Sequence, residues 1–266
     1  MAADDKTTTL PEVTVSASKA ESPPVGATQV DKAGMARMKA ATSDTASLLR
    51  DMPGVSLYGA GGVSSLPVID GMADDRLRIK VDGMDLISAC GNHMNPPLSY
   101  IDPSSVASIQ VFSGIAPVSV SGDSIGGAIQ VESPAPEFAA PGQGLLTRGE
   151  VGAFYRSNGD AQGGNLAATI ASEKLNLSYR GSTTNAEDYK AGDSFKPAGL
   201  AAAGRDWLDG DEVGSTMYKS TNQSLALAMR QDNHLLELKL GVQDIPYQGW
   251  PNQRMDMTGN DSEQIN

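Results

Sequence analysis

From residue 144 onward the chain repeats one pattern. Gly144–Ser157, Gly163–Glu173, Lys174–Thr183, Met217–Gln231 and His234–Asp244 each carry apolar side chains on one face of an extended segment. Leu166/Ala168/Ile170, Leu175/Leu177/Tyr179, Leu225/Leu227/Met229 and Leu236/Leu238/Leu240 show it best, with polar or small residues between them. Turn signals separate the stretches at Ser157-Asn158-Gly159-Asp160, Ser172-Glu173-Lys174 and Gln231-Asp232-Asn233, and a longer polar loop spans Asn185–Gly214. Long antiparallel strands with tight turns at one end predict a transmembrane barrel with lipid outside and water or a plug inside. A soluble β-sandwich is the alternative, but its strands are usually nearer ~5–6 residues. Five strands cannot close a membrane sheet, whose edges cannot face lipid, so the barrel is expected to be incomplete in this chain.

The first half has a different texture. Residues 1–26 hold Pro11, Pro23 and Pro24 among Thr, Ser and Ala and read as an extended tail. Within it PEVTVSAS (Pro11–Ser18) alternates Val13 and Val15 with polar neighbours, a solitary strand suited to joining another protein's sheet edge. Residues 27–136 are compact and mixed. Helices are expected near Lys32–Ala40 and over Asp44–Met52, the second behind a Ser43 cap and stopped by Pro53-Gly54. Arg76–Val81 alternates Leu77, Ile79 and Val81 with cations, and Asp82-Gly83 supplies a hairpin turn. Asp102-Pro103 predicts a single helical turn before a strand at Ser108–Phe112, and a further short strand follows Gly126-Gly127. Pro134–Gly144 is a linker to the long strands.

Composition supports a mainly β chain: 29 glycines and 15 prolines imply many turns. A formal charge of −12, with no Lys/Arg block longer than two, argues against a nucleic-acid partner, which requires a cationic surface. The start, MAADDKTTTL, has neither the basic nor the apolar region of a secretory signal, and no apolar run reaches the length of a membrane-spanning helix. One cysteine allows no internal disulfide.

Candidate chemistry concentrates at one place. GDSIGG (Gly122–Gly127), with His93 and Asp102 before it, imitates the order of a serine-protease triad, but an Ile interrupts the motif and the spacings are far too short. The acidic clusters Asp70–Asp75 and Gly259–Glu263 lack calcium-loop spacing and read as solvated turns. ACGNHMNPPLSYIDP (residues 89–103) is different in kind: Cys90 sits among the loop formers Gly91, Asn92 and Asn95, Met94 lies in the same polar loop, and Pro96-Pro97 stiffen it. Thiolate and thioether are soft donors that together favour Cu(I) over zinc, magnesium or calcium. His93 lies between them and could add a nitrogen, although adjacent residues rarely point the same way. Met255 and Met257 stand two apart, so in an extended segment both face one side, either as a thioether pair or as ordinary packing.

The order of these pieces, TLPEVTVSAS, SLLRDMPGVSL, IDGM with RIKVDGMDL, IDPSSVASIQVFSG, SGDSIGGAIQV and then long alternating strands, resembles the TonB-dependent outer-membrane receptors over residues 9 to 266. The resemblance implies an α+β plug domain (27–136) followed by the first strands (137–266) of an antiparallel barrel, 22-stranded when complete. It implies a TonB box in the tail (1–26), mapping by position to Glu12, Val13, Thr14, Val15, Ser16 and Ala17, that pairs with the TonB C-terminal domain. It also implies a Gram-negative outer-membrane location among lipid, and a transporter in place of an enzyme. Within the family, CGNHMNPPLSYID looks like the copper-receptor branch, whose plug carries a Cys-x-x-x-Met pair, here Cys90 and Met94. That branch is associated with a His-x-Met pair from the barrel, which does not occur here; Met255-Asp256-Met257 is the nearest substitute. A copper ion, as Cu(I), is the implied substrate, and a receptor for an iron-siderophore or other chelate is the sibling alternative.

Overall fold

The computed structural model describes residues 26–200, 207–252 and 255–266. The proposed TonB box, Glu12–Ala17, lies outside the described residues. Two sheets make up the frame, one from each half of the chain.

The first half forms β1 (Ala27–Gln29), α1 (Lys32–Ala41), β2 (Val55–Gly59), β3 (Ser65–Ile69), β4 (Leu77–Val81), β5 (Met84–Leu86), β6 (Ser108–Ser113) and β7 (Gly127–Glu132). Five strands join in the order β1-β6-β7-β4-β5, with β4 and β7 parallel, while β2 and β3 form a separate hairpin. Alternation in β4 buries Leu77, Ile79 and Val81 against Ile109, Ile129 and Val131, which makes the centre of the plug core. The β4–β5 turn has positive φ at both Asp82 and Gly83, as a two-residue primed turn requires.

α1 begins where Asp31 accepts a hydrogen bond from the Gly34 N–H at 2.9 Å. The second expected helix is a correction: residues Thr45–Leu49 make only a 3-10 turn, and Ser43 does not cap it. All five of its residues are buried. A segment enclosed on every side has no single helical stripe to present, and its contacts decide its shape. The Thr45 hydroxyl donates to the Ile101 carbonyl. Ser43 instead accepts from Arg156 Nη2 at 2.7 Å, a residue of the other sheet.

The second half opens with β8 (Leu146–Arg156), β9 (Ala161–Ala171) and β10 (Leu175–Ala186). A long connection follows, holding the two-residue strands β11 (Tyr189–Lys190), β12 (Gly199–Leu200), β13 (Trp207–Leu208) and β14 (Glu212–Val213), and then come β15 (Tyr218–Gln231), β16 (His234–Trp250) and β17 (Met255–Ile265). The six long strands form one antiparallel meander, β8-β9-β10-β15-β16-β17. Leu177, Leu227 and Leu238 fall opposite one another across three strands, as do Tyr179, Leu225 and Leu240, so the exposed leucines form a continuous outer band. The opposite face is polar and carries the plug.

The sequence pattern counted five strands here, and the sheet has six. β16 runs on past Asp244 to Trp250 because Pro246, which has no N–H to offer, sits at a register irregularity with no aligned partner on either side. β17 contains only three large apolar side chains in eleven residues, so its alternation is nearly silent, and pairing with β16 from Trp250↔Met255 to Leu240↔Ile265 makes it a strand.

Polar bonds join plug to wall. Lys239 Nζ reaches Asp82 Oδ2 at 3.1 Å and Ser133 Oγ at 2.9 Å, and Gln243 Nε2 donates to the Ser99 carbonyl at 3.0 Å. Arg156, whose Nη2 reaches Ser43 of the plug, is steadied within the wall by donating to the Tyr218 hydroxyl at 3.0 Å.

Candidate metal centre

The segment after β5 folds into a tight loop for local reasons. The His93 N–H donates to the Cys90 carbonyl at 3.0 Å, and His93 takes a positive φ of 49°, which reverses the chain. Reversal brings the Met94 N–H to 3.3 Å from Cys90 Sγ, a backbone donor on the sulfur. Ser88 Oγ stands 3.0 Å from the carbonyl oxygens of both Cys90 and Asn95, so its single hydroxyl proton is shared between them and clips the loop shut. Tyr100 donates its hydroxyl to the Asn95 carbonyl at 3.1 Å and accepts from the Ala89 N–H at 2.8 Å. Pro97 then starts a short 3-10 turn, Pro97–Tyr100, that closes the C-terminal side. Cys90 and Met94 are therefore held on the two arms of one stiff turn.

That turn packs on the barrel wall. Met94, Ala60 and Trp250 form a buried apolar cluster, with Cys90 and Met257 packed against it. The Met94 carbonyl accepts from Trp250 Nε1 at 3.0 Å and from the Ser64 hydroxyl. Ala60 and Ser64 belong to the tip of the β2–β3 hairpin, whose close approach needs glycine. A Cβ on Gly61 would stand 2.7 Å from the Gly249 carbonyl oxygen, and one on Gly62 would stand 2.2 Å from the Tyr218 ring.

Electrostatics favour a thiolate. Partial burial pushes the Cys90 thiol up, but the backbone N–H groups of Met94, Asn95 and Asn92 and the Ser88 hydroxyl together outweigh it and hold the thiol below its ordinary range.

The predicted residues separate clearly in space. Cys90, Met94 and Met257 fall in one cluster; Met255, on the same strand and opposite Trp250 of that cluster, is 39 % exposed. His93 turns to Asp74, with Nε2 3.7 Å from Oδ1, in a separate cleft lined also by Asp75, Asp85 and Asp123. Asp102 accepts from the Ser104 N–H at 2.9 Å, so the imitation triad does not assemble. Trp250 and Gln248 had no sequence signal of their own, since they lie in the part of β16 beyond the legible alternation. Gln248 is 1 % exposed, and neither its Nε2 nor its Oε1 has a hydrogen-bond partner among the described residues.

Residues 19–128 match the family model of the TonB-dependent receptor plug domain. This stretch is a TonB-dependent receptor plug domain. Among solved structures the chain is similar to the copper transporter OprC, with 25 % identity and a TM-score of 0.73 over 90 % of this chain and 33 % of that one. The FrpB iron transporter of Neisseria meningitidis (F3-3 variant) aligns at 17 % identity and a TM-score of 0.65, over 83 % of this chain and 32 % of that one. The siderophore receptor PirA of Acinetobacter baumannii aligns at 16 % identity and a TM-score of 0.58, over 91 % and 37 %. At such identities the last two show the fold alone. No curated protein sequence matches. The chain spans about a third of the length of the structures it matches. Receptors with this plug domain are Gram-negative outer-membrane proteins, and the plug followed by strands with an outward band of exposed leucines agrees with that location.

Proposed function

We propose that the chain is the plug and opening barrel segment of a TonB-dependent transporter that captures copper as Cu(I). One observation carries the reading: the Cys90–Met94 turn of the plug meets Met257 of the wall in a single cluster. A thiolate and two thioethers are a donor set for a soft monovalent cation, and hard cations would find few oxygens to replace their water. The 25 % likeness to the copper transporter OprC supports the same substrate. Met255, exposed on the same strand face, is assigned as the first thioether an arriving ion meets.

Because two donors ride on the plug and one on the wall, the affinity depends on where the plug stands. A displacement that separates Met257 from the turn removes a donor and loosens the ion. The tail segment Glu12–Ala17 would deliver that displacement by adding as a strand to the TonB C-terminal domain.

Copper stoichiometry of the full-length receptor tests the site. We expect one ion per chain in the wild type and none in the Cys90→Ala, Met94→Ala double variant. Equal stoichiometry in the two would reject it.

A further inference from the structure

A buried carboxamide with both ends unpartnered costs roughly 1–3 kcal/mol per group unless something satisfies it, so Gln248 calls for a physical account. Its place is defined on three sides. Gln248 lies directly opposite Met257 in the β16–β17 register and therefore on the same face, where facing Cβ atoms stand about 5 Å apart. It is two residues before Trp250, whose ring is in the sulfur cluster, so it shares that residue's face as well. Its Nε2 is 3.5 Å from the position a Cβ on Gly61 would take, and Gly61 adjoins Ala60 of the same cluster. Elsewhere on the inner wall Gln243 Nε2 donates to Ser99 and Asn222 and Asn176 Nδ2 donates to the Glu137 carbonyl, whereas Asn176 Oδ1 and the hydroxyls of Ser182 and Ser262 have no partner among the described residues. Gln248 is the wall amide beside the sulfurs, and it differs from the buried Asn95 of the plug loop in that both ends of its carboxamide, and not the oxygen alone, have no partner among the described residues.

We infer that Gln248 is a specificity-determining residue of this site, its carboxamide oxygen supplying a harder fourth donor next to the three sulfurs. This inference rests on the copper reading above. Three soft donors alone suit Cu(I) and discriminate against Cu(II). An amide oxygen in a weak additional position is a recognised partner of sulfur-ligated copper, and it favours the divalent state more than the monovalent one. The site then retains copper in either oxidation state, with Gln248 setting the ratio of the two affinities. No electron transfer is required: each ion binds in the state in which it arrives.

The test uses the full-length receptor in detergent, titrated anaerobically with Cu(I) against a competing chelator and separately with Cu(II) followed by its electron paramagnetic resonance signal. Gln248→Leu removes the oxygen and keeps the volume; Gln248→Glu keeps an oxygen of stronger donor character. We expect the leucine variant to hold Cu(I) as the wild type does and to lose Cu(II) affinity by 10- to 100-fold, the order reported when a supporting polar group is removed from a metal site. The glutamate variant should retain or tighten Cu(II) and change its hyperfine coupling. Heat-modifiable migration on gels shows whether each variant is folded, and if leucine is not tolerated the glutamate variant decides. Unchanged Cu(II) binding in a folded variant overturns the role of Gln248 while leaving the sulfur site intact. A wild-type receptor that binds neither ion overturns the sulfur site and the inference with it.

Discussion

Trp250 of the barrel wall donates its indole N–H to the carbonyl of Met94 in the plug at 3.0 Å. The residues are 156 positions apart, and this bond fixes the backbone of a candidate sulfur donor from the opposite body. Trp250 is fully buried, so the ring also supplies the apolar wall of the cluster.

Removing the two contributions separately gives distinct outcomes. Trp250→Phe deletes the N–H while Ser64 still serves the Met94 carbonyl, and the loss should be about 1 kcal/mol with copper affinity lowered only slightly. Trp250→Ala leaves a cavity as well, and about 3–5 kcal/mol should be lost from the packed state. Denaturant midpoints of the purified receptor check both, and equal effects of the two substitutions would show that the ring is not packed as described.

The methionines of β17 offer a sharper contrast. Met257 packs against the cluster of Met94, Ala60 and Trp250, whereas Met255, on the same strand face and opposite Trp250, is 39 % exposed. Met257→Leu preserves volume and removes the thioether, so copper affinity should fall at least about tenfold, equivalent to ~1.4 kcal/mol. Met255→Leu should leave the equilibrium affinity in place and slow the capture of dilute copper. Competition titrations and stopped-flow uptake separate the two, and a larger equilibrium effect at Met255 would reverse the assignment.

The lowered pKa of Cys90 predicts a pH dependence with a definite sign. Although partial burial raises it, several backbone donors stabilise the thiolate more, so the folded thiol ionises at lower pH than a free one. A group with a lowered folded pKa contributes stability above its unfolded pKa, and that contribution is lost as pH falls through the folded value. Copper binding should therefore persist below the ordinary thiol range and weaken only on further acidification, when protons compete for the sulfur. Ser88→Ala removes one supporting hydroxyl and should move the titration of the thiol, followed by thiolate absorbance, toward higher pH. A shift in the opposite direction would contradict the balance of causes.

Much of this arrangement was legible in the chain because it depends on near neighbours. The leucines of β10, β15 and β16 announce a two-sided sheet by period alone, and Asp82-Gly83 announces its own turn. Cys90 and Met94 stood out through chemistry placed in a loop where burial explains little. What escaped depends on distant partners. Ser43 resembles a helix cap in sequence, yet its hydroxyl accepts from Arg156, which is 113 residues away. β17 is polar almost throughout and exists as a strand through its ladder with β16. Of the two β17 methionines, only the fold distinguishes the one packed against the Met94–Trp250 cluster from the exposed one.

The last prediction concerns the attachment of the plug to the wall. Lys239 stands on β16 with its ammonium 3.1 Å from Asp82 Oδ2, 2.9 Å from Ser133 Oγ and 3.3 Å from Glu237. Asp82 and Lys239 are 13 % and 22 % exposed, so the pair is shielded from water but not sealed from it. Asp82 also accepts from the Ser133 N–H at 2.8 Å and the Ser133 hydroxyl at 2.6 Å, so its charge keeps partners when Lys239 is lost. Lys239→Met retains the aliphatic stem and removes the charge, and the expected loss is about 1–3 kcal/mol, below that of a fully buried pair left half-broken. Glu132, exposed at the end of β7, feels the same charges: partial desolvation chiefly, and the Asp82 carboxylate next, raise its pKa, while Lys239 opposes both. Losing Lys239 should therefore raise the Glu132 pKa further. The measurement is the urea concentration at which the plug becomes sensitive to protease in the intact receptor, which should fall for Lys239→Met and for Asp82→Asn. The double variant should fall by less than the sum, since the two residues share one interaction. Full additivity would show that the ion pair does not hold plug to wall.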